Sequence, residues 1–230
     1  MKKALRITGL IAVVGILIAT IIVSMTSKVP NAEKVWDIDT TVGNIDAKNY
    51  FIIYSDVACP YCVAFENAII ENEAEFKKYI EDNDILLEVR VSDFLYEYGE
   101  THSIESLYGA EAIYCAKEEG KFWDYYNLVI TKIWNEYFGV SGKGAFKDFN
   151  KLGKDYWIGL GKEVDLGDDF ATCVEEDRTR EIVSTNAEKS ARLVNGLPYF
   201  KFNSYTSGGF DLSWGWDYVK MYFESGLKSK

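Results

Sequence analysis

Histidine is nearly missing: His102 is the only one in 230 residues. Cysteine is confined to Cys59, Cys62, Cys115 and Cys173, and only one CxxC pair occurs. A zinc site needs about four ligands, so the composition argues against zinc, and no metal site is expected. Basic residues are in deficit, with 25 Lys and Arg against 36 Asp and Glu, a net charge of −11. Three of those cations, Lys2, Lys3 and Arg6, precede everything else, so the remainder is more acidic still. Such a surface repels phosphate backbones, and nucleic acid is not an expected partner. Internal repeats and low-complexity tracts are absent, and so is any second long apolar run. What is present is enough hydrophobic (48%) and aromatic (15%) material to fill a core, which excludes a disordered chain. The length allows one large domain or two small ones.

The single long apolar run is Ile7 to Met25, without a charge. At about 1.5 Å per residue it spans roughly the 30 Å of a hydrocarbon core. Lys2, Lys3 and Arg6 lie before it, which leaves the N-terminus cytoplasmic and exports the rest. A cleaved signal peptide is the rival reading, but its apolar region would be about 7–15 residues and end in a small-x-small site. Ser24-Met25-Thr26-Ser27 is a poor cleavage signal, so an uncleaved anchor is the reading taken. No cysteine follows the run to carry a lipid. The expected location is therefore the cell membrane, crossed once, with an extracytoplasmic domain. Four cysteines in an oxidising space suit disulfides.

Residues 28–47 read as a linker and first segment, with Pro30 in the polar stretch. Tyr50 to Tyr54 is a short apolar run that predicts a buried strand, and Ile85 to Val91 a second. Cys59-Pro60-Tyr61-Cys62 and a helical pattern lie between them, implying a right-handed parallel crossover. From Ser103 to Val194 the pattern is helical almost throughout: Ile104, Tyr108, Ala112 and Cys115 share one face, and Gly120 ends that helix. Lys121-Phe122-Trp123 opens another helix, and Gly139 to Gly144 is a loop. A helix over Phe146 to Leu160 is interrupted by Gly153. Asp168 and Asp169 would cap a helix bearing Cys173. Tyr199 to Asn203 reads as a strand, the segment around Gly208 to Leu212 as its hairpin partner, and Trp214 to Leu227 as a closing helix. The expected class is α/β: a thioredoxin-like fold with an inserted all-helical domain, preceded by one transmembrane helix. Its parts are residues 1–27 (cytoplasmic tip and anchor), 28–47, 48–100 (first part of the sheet domain), 101–194 (helical insertion) and 195–230 (second part).

The CxxC spacing carries the chemistry. Two intervening residues bring the sulfurs within bonding reach across the first turn of a helix. Pro60 fits that turn, where its missing N–H costs nothing. Cys59 then sits at the helix N-terminus, where the macrodipole and free N–H groups favour a thiolate. Cys62 lies one turn inward and is more sheltered. Cys59 is thus the expected nucleophile and Cys62 the resolving thiol, with exchange through a mixed disulfide on Cys59. An inert structural disulfide is the plainer alternative, and placement directly after a buried strand argues against it. Pro198, before a strand and after Asn195-Gly196-Leu197, is either a trans turn proline or a functional cis-proline.

The run Ser55 to Cys62, the segment Cys115 to Tyr126, Asp169 to Cys173 and Val194 to Phe200 together resemble the DsbA-like family of thiol–disulfide oxidoreductases. The resemblance covers about residues 48 to 227. It implies Cys59 as attacking thiol, Cys62 as resolving thiol and Pro198 as cis-proline. Leu197 would offer its backbone to an extended substrate peptide. It further implies an oxidase acting on exported unfolded or thiol-bearing proteins, re-oxidised by a quinone-linked membrane thiol oxidase, with no cofactor. A reductase or isomerase of the same fold, and a redox-inactive chaperone-like peptide-binding module, are the alternatives. Cytosolic glutaredoxins also carry Cys-Pro-Tyr-Cys, but they are short and lack both anchor and insertion. Tyr61 stands where strong oxidants of the family have histidine, so a less oxidising potential than the family's extreme is expected. Leu197 replaces a common Val or Thr, which bears on substrate preference. Some members bond an extra cysteine pair, which supports a structural Cys115–Cys173 disulfide over two buried thiols or a second redox pair. The aromatic residues Trp123, Tyr125, Tyr126 and Trp134 read as core in preference to a peptide groove. No dimerisation segment is visible, and a monomer is expected.

Overall fold

A computed structural model describes residues 34–139 and 148–229. The apolar run Ile7 to Met25, the Pro30 stretch and most of the Gly139 to Gly144 loop lie outside the described residues. Among the described residues no helix is long and apolar enough to cross a membrane.

Five strands form one sheet in the order β1-β3-β2-β4-β5. They are β1 (Thr41–Gly43), β2 (Asn49–Ser55), β3 (Ile85–Val91), β4 (Tyr199–Phe202) and β5 (Tyr205–Gly208). β2 and β3 are parallel, with Ile53 opposite Val89, and α1 (Pro60–Ile70) and α2 (Glu73–Asp82) make the crossover between them. The other pairings are antiparallel. Alternation along β2 divides its side chains between two cores. Phe51 and Ile53 belong to the larger core, while Ile52 and Tyr54 join Phe94 and Val194 on the other face. Phe51 stacks on Phe202 at 4.5 Å, and Phe65 of α1 lies 4.3 Å from Phe200, so α1 is pinned to the sheet by aromatic contact.

α3 (Phe94–Glu97) follows β3, the insertion contains α4 (Ile104–Glu118), α5 (Phe122–Ile133), α6 (Gly153–Gly161), α7 (Asp168–Glu175) and α8 (Arg180–Ala191), and α9 (Trp216–Lys228) closes the fold. Gly109 lets α4 pass directly beneath the redox loop. A Cβ there would lie 2.5 Å from Val57 Cγ2 and 2.8 Å from Trp157 Cη2. Tyr125 and Tyr126 are buried in the core, as their helical spacing predicts.

Two local expectations need correction. Asp168 and Asp169 lie within the first turn of α7, and its N-cap is Gly167, so the carboxylates act on the helix dipole without capping it. The helical pattern over Phe146 to Leu160 does break at Gly153: residues 148–149 are helical, 150–151 turn, and α6 starts at Gly153, with φ at +68°. The hairpin partner of β4 is Tyr205–Gly208, earlier than expected. Asn203, at φ +54°, takes a left-handed turn that asparagine tolerates, so the chain reverses at once.

Cys115 on α4 and Cys173 on α7 form a disulfide with a Cα–Cα distance of 5.8 Å, closing a 58-residue separation. Replacing both by alanine is expected to cost about 2–4 kcal/mol of unfolding free energy. Denaturant titration measures this, and thiol exchange at Cys59 should persist in the folded variant.

Candidate active site

The site is built where β2 ends. Asp56 follows the strand, and its buried carboxylate accepts hydrogen bonds from Ala58 N (2.8 Å), Leu95 N (2.8 Å) and Ser106 Oγ (2.6 Å). Its carbonyl accepts the Cys59 N–H at 3.0 Å. One residue thereby ties the redox loop to the starts of α3 and α4. Burial pushes the Asp56 carboxyl up to about 6, although its three donors pull the other way.

Cys59 is the N-cap of α1 and Pro60 occupies the first turn. The structure holds the pair as free thiols, and the Cys62 N–H donates to Cys59 Sγ at 3.3 Å. An amide and a helix N-terminus are thus both directed at the Cys59 sulfur. Cys59 keeps 4% of its surface and Cys62 none, so the asymmetry read from the spacing is present but narrow. Burial pushes the Cys62 thiol well up, and the neighbouring Cys59 and Glu66 add to that effect. Tyr61, between them, projects into solvent at 48% exposure.

The Leu197–Pro198 peptide bond is cis. Leu197, Pro198 and Tyr199 line a groove of about 420 Å³ with Leu193 and Gly208. Pro198 C=O accepts from Gly209, whereas the Leu197 backbone bonds to no other described residue. Among the described residues no cluster of His, Cys, Asp or Glu could hold a metal.

Besides Asp56, two acidic residues here were not singled out in the sequence. Glu66 lies on α1, one turn beyond Cys62, at 3% exposure, with the Ser55 and Tyr126 hydroxyls beside its carboxylate. Burial raises it to about 7, with the Ser55 and Tyr126 hydroxyls opposing. A carboxylate at i+4 from the inner cysteine was the available signal. Asp93, just after β3, is buried with both oxygens unpartnered, and burial raises it to about 7 as well. Above pH 7 it is a buried charge without a partner. Asp93→Asn is therefore expected to raise Tm at pH 8 and to leave it unchanged near pH 4, as read by thermal unfolding at the two pH values.

A family model described as thioredoxin matches residues 37–206. The chain belongs to the thioredoxin family. No curated protein sequence matches this thioredoxin-family chain closely enough to count as a relative. Its fold is shared by a thioredoxin-like oxidoreductase from Silicibacter pomeroyi, at 20% identity and TM-score 0.56, covering 84% of this chain and 95% of that one. The thiol-disulfide exchange protein alpha-DsbA2 from Wolbachia pipientis is similar at 16% identity and TM-score 0.55, covering 84% and 90%. DsbA from Mycobacterium tuberculosis is similar at 18% identity and TM-score 0.53, covering 83% and 92%. Within the thioredoxin family the architecture is DsbA-like, and with Cys59 capping α1 and Cys62 in its first turn the chain is a thiol–disulfide oxidoreductase.

Proposed function

We propose that the protein is an extracytoplasmic oxidase that passes a Cys59–Cys62 disulfide to exported polypeptides. The observation that carries the direction is the Cys62 N–H donated to Cys59 Sγ in the dithiol state, at a helix N-terminus. Stabilising that sulfur when reduced makes the disulfide a better oxidant. A substrate thiolate attacks Cys59 Sγ and breaks the Cys59–Cys62 bond. Cys62 leaves as a thiolate and takes up a proton, for which Glu66 is the nearby buried acid. A second substrate thiolate then attacks the substrate sulfur of the mixed disulfide, so the substrate leaves oxidised and Cys59 leaves reduced. The free Leu197 backbone beside Pro198 supports binding of the substrate as an added strand. Cys59 and Cys62 are the redox pair, Pro198 and Leu197 the substrate-side elements, and Cys115–Cys173 a structural bond.

The setting belongs to the same reading: an N-terminal anchor with its tip in the cytoplasm, a monomeric domain outside, and a quinone-linked membrane thiol oxidase as re-oxidant. A reductase or isomerase would use the same cysteines in the opposite direction. Mixing the oxidised protein with a reduced dithiol peptide tests the direction. An oxidase converts one peptide per chain to its disulfide without added oxidant, whereas a reductase leaves the peptide reduced.

A further inference from the structure

One surface departs from the acidic character of the chain. On the sheet face away from α1, Lys34, Lys48, Arg90 and Lys201 line a groove of about 420 Å³ with Trp36 and Leu193, and no carboxylate lines it. Arg90 is already committed, bonding Glu88, the Tyr54 and Tyr50 hydroxyls and the Lys34 carbonyl, with its guanidinium 3.9 Å from the Trp36 ring. Lys189 reaches to 5.2 Å from the same ring. Lys48 is 3.8 Å from Asp84 in an exposed pair, while Lys34, Lys189 and Lys201 form no ion pair among the described residues. Glu188 is paired with Arg192, and Glu181 lines the adjoining cavity. Unpaired lysines around a tryptophan and two tyrosines form a composition suited to a bilayer–water boundary.

The chain also enters the domain on this face. The Lys34 carbonyl is held by Arg90 and Tyr50, and the Trp36 and Asp37 N–H groups both donate to Glu88 Oε1. Only residues 26–33 separate Met25 from that attachment, a reach of about 30 Å at most. We propose that this basic face docks on an anionic lipid surface, the membrane from which the domain is tethered. The proposal rests on the reading of Ile7 to Met25 as an anchor. Lys48 lies at the start of β2 and Lys201 beside its middle, whereas Cys59 lies beyond its far end, about 20 Å from Lys48 along the strand, and stays open to substrate.

The test uses the full chain in vesicles of phosphatidylcholine, with or without phosphatidylglycerol. Lysine acylation read by mass spectrometry should be at least about fivefold slower at Lys34, Lys48 and Lys201 in the anionic vesicles at low salt, and the difference should vanish at high salt. Lys77 and Lys78, on α2 across the sheet, should react equally in both. The triple variant Lys48→Gln, Lys189→Gln, Lys201→Gln should restore Lys34 reactivity without changing exchange with a soluble peptide. Equal reactivity in both vesicle types, from a chain that floats with them, overturns the docking and leaves the anchor standing. A chain that floats with neither overturns the anchor, and the docking falls with it.

Discussion

Cys62→Ser is expected to lose catalytic turnover by more than about a thousandfold while still capturing substrate. Cys59 keeps its helix-terminal position and its small opening to solvent, so it attacks a model disulfide and forms one mixed disulfide per chain. With no Cys62 thiol to attack that bond, the adduct persists. Cys59→Ser should lose turnover equally and form no adduct, because Cys62 has no exposed surface. Mass spectrometry after incubation with glutathione disulfide reads both outcomes directly. An adduct on Cys62 in the Cys59→Ser variant, formed as readily as the one on Cys59, would reverse the two roles.

Glu66→Gln is expected to make the protein more stable and the exchange reaction slower. The Glu66 carboxyl is raised from 4.5 to about 7 by burial. The folded state thus holds the proton more tightly than the unfolded chain does. Below about pH 4.5 both states are protonated and the group contributes no penalty. Between 4.5 and 7 the unfolded chain ionises first, so stability falls as pH rises, and above 7 the loss is complete. At about 1.4 kcal/mol per unit, the loss is on the order of 3 kcal/mol. Glutamine does not ionise, so the variant should gain about that much at pH 8 and nothing near pH 4.5, as measured by denaturant unfolding at each pH. The wild-type rate of exchange should also inflect near pH 7, where Glu66 stops supplying or accepting a proton, and the variant should lack that inflection. An equal stability change at both pH values would show that Glu66 acts through packing and not through charge.

The placement of Cys59 and Cys62 at the start of a helix was legible in the sequence because its signals are local. A buried run ending at Ser55, a CxxC spacing and Pro60 in a first turn each specify backbone geometry within a few residues. β3 was legible for the same reason, since Ile85 to Val91 is apolar and rich in β-branched residues apart from Glu88 and Arg90. β1 was not, because three residues with intermediate and exposed side chains carry no periodicity. The β5 position was missed because Asn203 reverses the chain without the glycine that such a turn usually advertises. Asp56 and Glu66 were overlooked for a different reason. Their roles depend on what surrounds them: Leu95 and Ser106 reach Asp56 from two other elements, and Tyr126 approaches Glu66 from α5. A sequence displays a carboxylate but not its burial.

The most direct test is the reduction potential of the Cys59–Cys62 pair, measured by equilibration with glutathione in the intact protein. An oxidase that carries Tyr61 between its cysteines should fall between about −120 and −200 mV. A value near −270 mV, like that of thioredoxin, would contradict the account and make the protein a reductase.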